Sequence, residues 1–127
     1  MVDIGDWMTR LAGWGLPGAT ALPPVPAPMA GLLAPVRGEK LTGVLAAAVA
    51  AGDVDVTDTD REFLLTAHRD AMAEVLLLED VLLDAVDLLD RAGVAPRVLK
   101  GSALAHLVHP DPAQRCFGDV DLLVEGR

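Results

Sequence analysis

The sequence predicts an α+β fold in which helices come first and a small sheet begins only near the C-terminus. Three observations carry this expectation. Hydrophobic residues make up 52% of the chain but aromatic residues only 3%, so the apolar content is chiefly Ala, Leu and Val, which suits helix packing better than an aromatic-rich β-sandwich. A helical apolar pattern runs from Thr59 to about Ala92. Beyond Pro96 the pattern changes to strand, turn, helix, loop and strand. The 127 residues fit one domain. A chain of this size can bury roughly two thirds of its unfolded surface. Composition divides it into a short N-terminal helix with a Pro-rich linker (1–37), a helical region (38–96) and a strand–turn–helix–strand region (97–127).

The elements follow in order. Trp7, Leu11 and Trp14 share one helical face, which predicts a short amphipathic helix that docks on the body or on a partner. Residues 15–37 read as a linker. Pro17, Pro23, Pro24, Pro26, Pro28 and Pro35 lack amide protons and fix φ, so no regular helix or central strand is expected there. Pro23 to Pro28 is compatible with polyproline II, and a stiff spacer is the ordinary reading of it. Residues 39–51 are Ala-rich and predict a helix, with Gly52 placed to stop it. Asp53 to Asp58 is acidic and β-branched and reads as a loop. Thr59-Asp60-Arg61-Glu62 has the form of a capping box at the start of the long helix. In that helix Phe63, Ala67, Val75, Leu82, Val86 and Leu89 recur at helical intervals. Leu64, Met72, Leu76, Leu78 and Leu83 widen the stripe, so burial on more than one side is expected. Glu74, Asp80, Asp84, Asp87 and Asp90 fall on the other face and read as solvated carboxylates. Gly93 fits the stop. Arg97-Val98-Leu99-Lys100 then reads as a strand, Gly101-Ser102 as a turn, Ala103 to Val108 as a helix and Asp119 to Val124 as a second strand.

Composition also bounds function. The net charge of −9 opposes broad nucleic-acid binding, in which neutralised phosphates supply most of the affinity. A small anionic substrate brought in with magnesium is compatible with it. Arg97, Lys100 and Arg115, three of the ten basic residues, gather around the last elements, so the local field there opposes the global one. The N-terminus is acidic where a secretory signal is basic. The longest apolar run, Val44 to Ala51, is too short to cross a bilayer. No membrane association is expected, and the location expected is the cytoplasm. The single cysteine, Cys116, cannot form an internal disulfide and reads as a small buried residue. His106 and His109 lie three apart, but without further ligands nearby they do not make a zinc site.

The candidate chemistry lies at the C-terminal end. On a strand, residues two apart point the same way, with α-carbons about 6.5–7 Å apart. Asp119 and Asp121 would then share a face while Val120 and Leu122 enter the opposite layer. Two carboxylates about 5 Å apart repel by about 3 kcal/mol at an effective dielectric near 20, and a cation relieves that. Magnesium takes oxygen ligands and completes its shell with water and substrate phosphates. Gly101 has no β-carbon, so backbone amides can approach a phosphate. The helix that follows offers free amides and the positive end of its dipole. Ser102 can donate one more hydrogen bond, and Lys100 and Arg115 can add positive charge, Arg115 in bidentate fashion.

These residues resemble a known family. Leu99-Lys100-Gly101-Ser102-Ala103-Leu104-Ala105, His109-Pro110-Asp111-Pro112-Ala113-Gln114-Arg115 and Asp119-Val120-Asp121-Leu122-Leu123-Val124 are similar to the uncharacterised nucleotidyltransferase family of the DNA polymerase β-like superfamily. The likeness extends over roughly residues 60–125 and is most specific over 98–124. It implies metal-dependent transfer of a nucleoside monophosphate from a nucleoside triphosphate to an unidentified acceptor. It implies that Asp119 and Asp121 hold two Mg2+ ions and that Gly101 and Ser102 contact the triphosphate. Lys100 and Arg115 match residues typical of the family. The spacer between Ser102 and Asp119 is sixteen residues, longer than the general superfamily pattern but suited to this family. The superfamily also places a third carboxylate on a later strand. The sequence ends at Arg127, before any such strand. The resemblance therefore implies the N-terminal portion of a domain, inactive or nearly so alone, that is completed by a C-terminal half or a protein partner. Two other readings compete with it: a module that binds nucleotide without chemistry, and a helical interaction protein.

Overall fold

The computed structural model describes residues 2–126. The element order is α1 (Ile4–Ala12), α2 (Met29–Gly38), α3 (Thr42–Ala50), α4 (Asp58–Arg91), β1 (Arg97–Leu99), α5 (Lys100–Leu107), a 3-10 turn (Pro112–Gln114) and β2 (Asp121–Leu123). This is an α+β protein with a two-stranded antiparallel sheet. Contacts group the chain into two compact units, Met1–Asp70 and Ala71–Arg127, and α4 contributes to both.

In the first unit, Asp3 caps α1 by accepting from the amide of Gly5 at 3.0 Å. Trp7 and Leu11, four apart, are both fully buried, and Trp7 Nε1 donates to the carbonyl of Pro23 at 3.1 Å. Trp14 lies beyond the end of α1, and its Nε1 donates to Asp53 Oδ2 at 2.9 Å. The amphipathic N-terminal helix thus docks on its own unit.

The linker read over 15–37 needs correction, because α2 occupies its last third. Pro28 keeps an extended conformation and stands just before the helix, where a missing amide costs nothing. Six residues then separate it from Pro35, and Pro35 removes only the bond to the carbonyl of Gly31. Met29, Leu32 and Val36 recur on one face and are fully buried, which outweighs that lost bond. Asp60 Oδ1 also accepts from the first helical amide, Met29 N, at 3.1 Å.

α3 ends as expected. Gly52 takes φ 82°, and the amides of Gly52 and Asp53 bond back to Val49 and Ala48 at 3.1 and 3.0 Å, closing a Schellman stop. The start of α4 also needs correction. Thr57, not Thr59, stands at the cap, its hydroxyl accepting from the amide of Asp60 at 3.1 Å. Thr57 already offers its side chain one turn ahead of Asp60, so the helix begins before the Thr59–Glu62 pair can form a box. Trp7, Leu11, Met29, Leu32, Val36, Leu45, Ala48, Val49, Val54 and Leu64 form the core of this unit.

In the second unit α4 runs unbroken to Arg91 and stops at Gly93, whose φ is 78°. Burial follows one face, through Ala71, Val75 and Leu82, rather than several as the sequence suggested. Leu76, Leu77, Val81, Leu83 and Leu88 are 58–69% exposed. At about 100° per residue, Leu77, Val81 and Leu88 fall about 100–140° around the helix from the buried line. Val75, Ala105 and Phe117 make a small core, with Met72, Leu78 and Val120 against it. His106 Nε2 lies 2.6 Å from Glu79 Oε1, tying α5 to α4.

The close approach of Gly101 to Phe117 seats α5. A β-carbon built on Gly101 would overlap Phe117 Cβ and lie 3.0 Å from Phe117 Cγ. Glycine is required here by packing, whatever ligand the backbone meets.

Two outcomes test this packing. Leu32→Ala should lower unfolding free energy by about 2–5 kcal/mol in a denaturant titration, as expected for a fully buried leucine. Gly101→Ala should destabilise by about 1–3 kcal/mol through overpacking against Phe117 Cβ in the same titration.

Candidate functional site

The site is built where the two short strands meet α5. β1 and β2 pair with Arg97 opposite Leu123, Val98 opposite Leu122 and Leu99 opposite Asp121. Asp121 therefore opens β2 across from the last residue of β1, beside the point where the chain turns into α5. The turn is abrupt. Leu99 is extended, Lys100 takes φ 56°, and Gly101 and Ser102 already lie in the first helical turn. Lys100 thus belongs to the start of α5 and not to the strand, and Gly101-Ser102 is a helix opening rather than a free turn.

That opening has a particular electrostatic character. The first amides of a helix have no acceptor within it. The residue before α5, Leu99, supplies no side-chain cap, so the positive end of the helix is not neutralised from that position. Gly101 and Ser102 are both buried, Ser102 at 6% exposure.

Asp121 lies next to this opening. Its Oδ2 is buried and has no hydrogen-bond partner. Lys100 Nζ approaches it to 3.5 Å, an ion pair too long for a strong charge-assisted bond. A buried, ionised oxygen without a donor is costly unless a cation meets it. The residue set suits a hard cation on these grounds: an oxygen donor, held by a sheet register, with no hydrogen bond to give up and only the long ion pair to Lys100 to displace.

Asp119 differs from expectation. It is exposed and lies in the segment before β2, outside the strand. The reason is geometric. The residues that would continue the ladder opposite Val120 and Asp119 are Lys100 and Gly101, and these have left for α5. The strand alternation that was to align Asp119 with Asp121 therefore does not reach Asp119. Arg115 follows the 3-10 turn, its amide bonded to the carbonyl of Pro112 at 3.1 Å. Its Nε is buried without a hydrogen-bond partner.

Among the described residues, no group of three or more His, Cys, Asp or Glu side chains could hold a metal ion. His106 is engaged by Glu79, and Cys116 is buried. The sequence did not reveal Phe117 as the partner of Gly101, nor Glu79 as the partner of His106. The first had a faint signal, since Phe117 is one of two phenylalanines in the chain and lies in a segment otherwise read as loop. The second had none, as the two residues belong to separate helices.

Neither a curated protein nor a solved structure matches the chain. A family model described as uncharacterised nucleotidyltransferase matches residues 28–127, from the residue before α2 through the site. With that match over most of its length, and with the Gly-Ser helix opening and the aspartates within it, the chain belongs to the uncharacterised nucleotidyltransferase family.

Proposed function

We propose that the protein takes part in metal-dependent nucleotidyl transfer, moving a nucleoside monophosphate from a nucleoside triphosphate to an acceptor hydroxyl or similar nucleophile. The single observation that carries this reading is the buried Oδ2 of Asp121, which accepts no hydrogen bond, beside the opening of α5. A carboxylate and a helix N-terminus attract ligands of opposite sign. Together they suit a bound divalent cation with phosphates attached to it.

In this reading Asp121 and Asp119 hold Mg2+, Asp121 from the fixed ladder and Asp119 from the segment leading into it. Magnesium bound there would neutralise phosphate charge and ease departure of pyrophosphate. The amides of Gly101 and Ser102, with the Ser102 hydroxyl, receive phosphate oxygens. Lys100 and Arg115 add positive charge on the same side of the reaction. The order of strand, Gly-Ser helix and an Asp-x-Asp segment that leads into a strand also supports placing the family within the polymerase β-like superfamily. Such a protein works where magnesium and nucleoside triphosphates are plentiful, and the cytoplasm meets that need. Among the described residues no helix is long and apolar enough to cross a membrane.

A second reading, nucleotide binding without chemistry, draws on the lack of a third carboxylate near the aspartates among the described residues. Binding and turnover separate the two. Both require that a nucleoside triphosphate binds in a Mg2+-dependent manner. Only the first requires pyrophosphate release.

Calorimetry with ATP, GTP, CTP and UTP in the presence of Mg2+ tests the shared requirement. Asp121→Asn should weaken binding about tenfold or more, the loss of a charged ligand to the ion. Ser102→Ala should weaken it about fivefold, the loss of one hydrogen bond. Binding that is indifferent to both substitutions, or to chelation of Mg2+, would contradict the assignment.

A further inference from the structure

We propose that the Lys100 ammonium is a resident counter-ion of Asp121 that an incoming divalent cation displaces. Lys100 then competes with the metal before the nucleotide arrives and turns to the triphosphate afterwards. The inference rests on the reading of Asp121 as a metal ligand, and it adds a role for Lys100 that supporting positive charge alone does not describe.

Three observations carry it. First, Lys100 Nζ lies 3.5 Å from Asp121 Oδ2, and that oxygen is buried without a hydrogen bond. The ammonium therefore compensates charge without a tight bond. Second, the Lys100 side chain is 71% exposed, so it can leave at small cost. Third, the backbone of Lys100 is fixed although its side chain is not. Its φ of 56° lies in a region uncommon for a residue with a β-carbon. It is held there between the last ladder residue, Leu99, and Gly101 packed on Phe117. A strained backbone conformation persists only where its surroundings over-determine it. The ammonium is thus tethered within reach of Asp121 and of the opening of α5, on a flexible stem.

Asp121 gives up a monocation and gains a dication, which adds one positive charge beside the carboxylate. The phosphate oxygens that accompany the metal offset that charge and receive the released ammonium. No covalent bond forms or breaks. Lys100 is therefore expected to oppose metal binding alone and to favour binding of the metal with its nucleotide.

Mn2+ is the probe, with free Mn2+ followed by electron paramagnetic resonance on the full 127-residue chain without nucleotide. Lys100→Gln and Lys100→Gly should each bind Mn2+ about two- to fivefold more tightly than the parent. The glycine variant also relieves the positive φ, so it covers the case in which glutamine disturbs folding. Lys100→Arg should bind Mn2+ more weakly than the parent, because its fork grips a carboxylate better. In the presence of Mg2+, all-charge-removed variants should bind ATP more weakly than the parent. Unchanged or weakened Mn2+ affinity in both Lys100→Gln and Lys100→Gly would overturn the proposal. So would an arginine variant equal to the parent, since that is what simple repulsion through space gives. Asp121→Asn separates the two readings. If it abolishes Mn2+ binding while the Lys100 variants show no gain, the exchange is wrong and the metal site stands. If it leaves Mn2+ binding intact, both are wrong.

Discussion

The register of one short ladder governs the site. Three residue pairs join β1 to β2, and the last of them sets Asp121 opposite Leu99. The chain then leaves β1 through Lys100 and enters α5 at once, which brings a carboxylate and a helix N-terminus to the same corner. A slip of one residue would turn Asp121 to the other face of the sheet and replace it with an apolar neighbour. Local sequence alone does not secure so short a pairing. Two isolated strands are marginal in water, and packing against a helix is what stabilises them.

That support comes from Gly101 and Phe117. Without a β-carbon at 101 the aromatic ring reaches the backbone of α5, and Ala105 and Val75 complete the contact. The glycine lets the helix begin immediately after the strand with Phe117 packed where a β-carbon would be. The same crowding accounts for the positive φ of Lys100, the one residue that must change direction between two fixed neighbours.

Much of the fold was legible in the sequence because its signals are local. Gly52 and Gly93 mark helix ends through their backbone freedom, and both adopt positive φ at those ends. The Trp7 and Leu11 spacing marked a buried helical face. The α+β order followed from the change of pattern after Pro96. What escaped was set by tertiary contact. Proline content suggested a linker where α2 forms, since the burial of Met29, Leu32 and Val36 is not visible until other helices surround them. The apolar breadth of α4 overstated its burial, because a leucine reads the same whether or not something covers it. At the site, the pairing of Asp121 with the end of β1 agrees with the strand pattern, while Asp119 falls outside the strand because its ladder partner has turned into a helix. Membership of the nucleotidyltransferase family was carried by motif spacing, which survives such local departures.

The most direct test of the account is a crystal structure of the chain soaked with Mn2+ and a non-hydrolysable nucleoside triphosphate, examined in an anomalous difference map. The account predicts a peak within about 2.5 Å of Asp121 Oδ2, with phosphate oxygens on the amides of Gly101 and Ser102. A nucleotide bound elsewhere, or an Asp121 carboxylate still paired with Lys100 while metal and nucleotide occupy another part of the molecule, would contradict it.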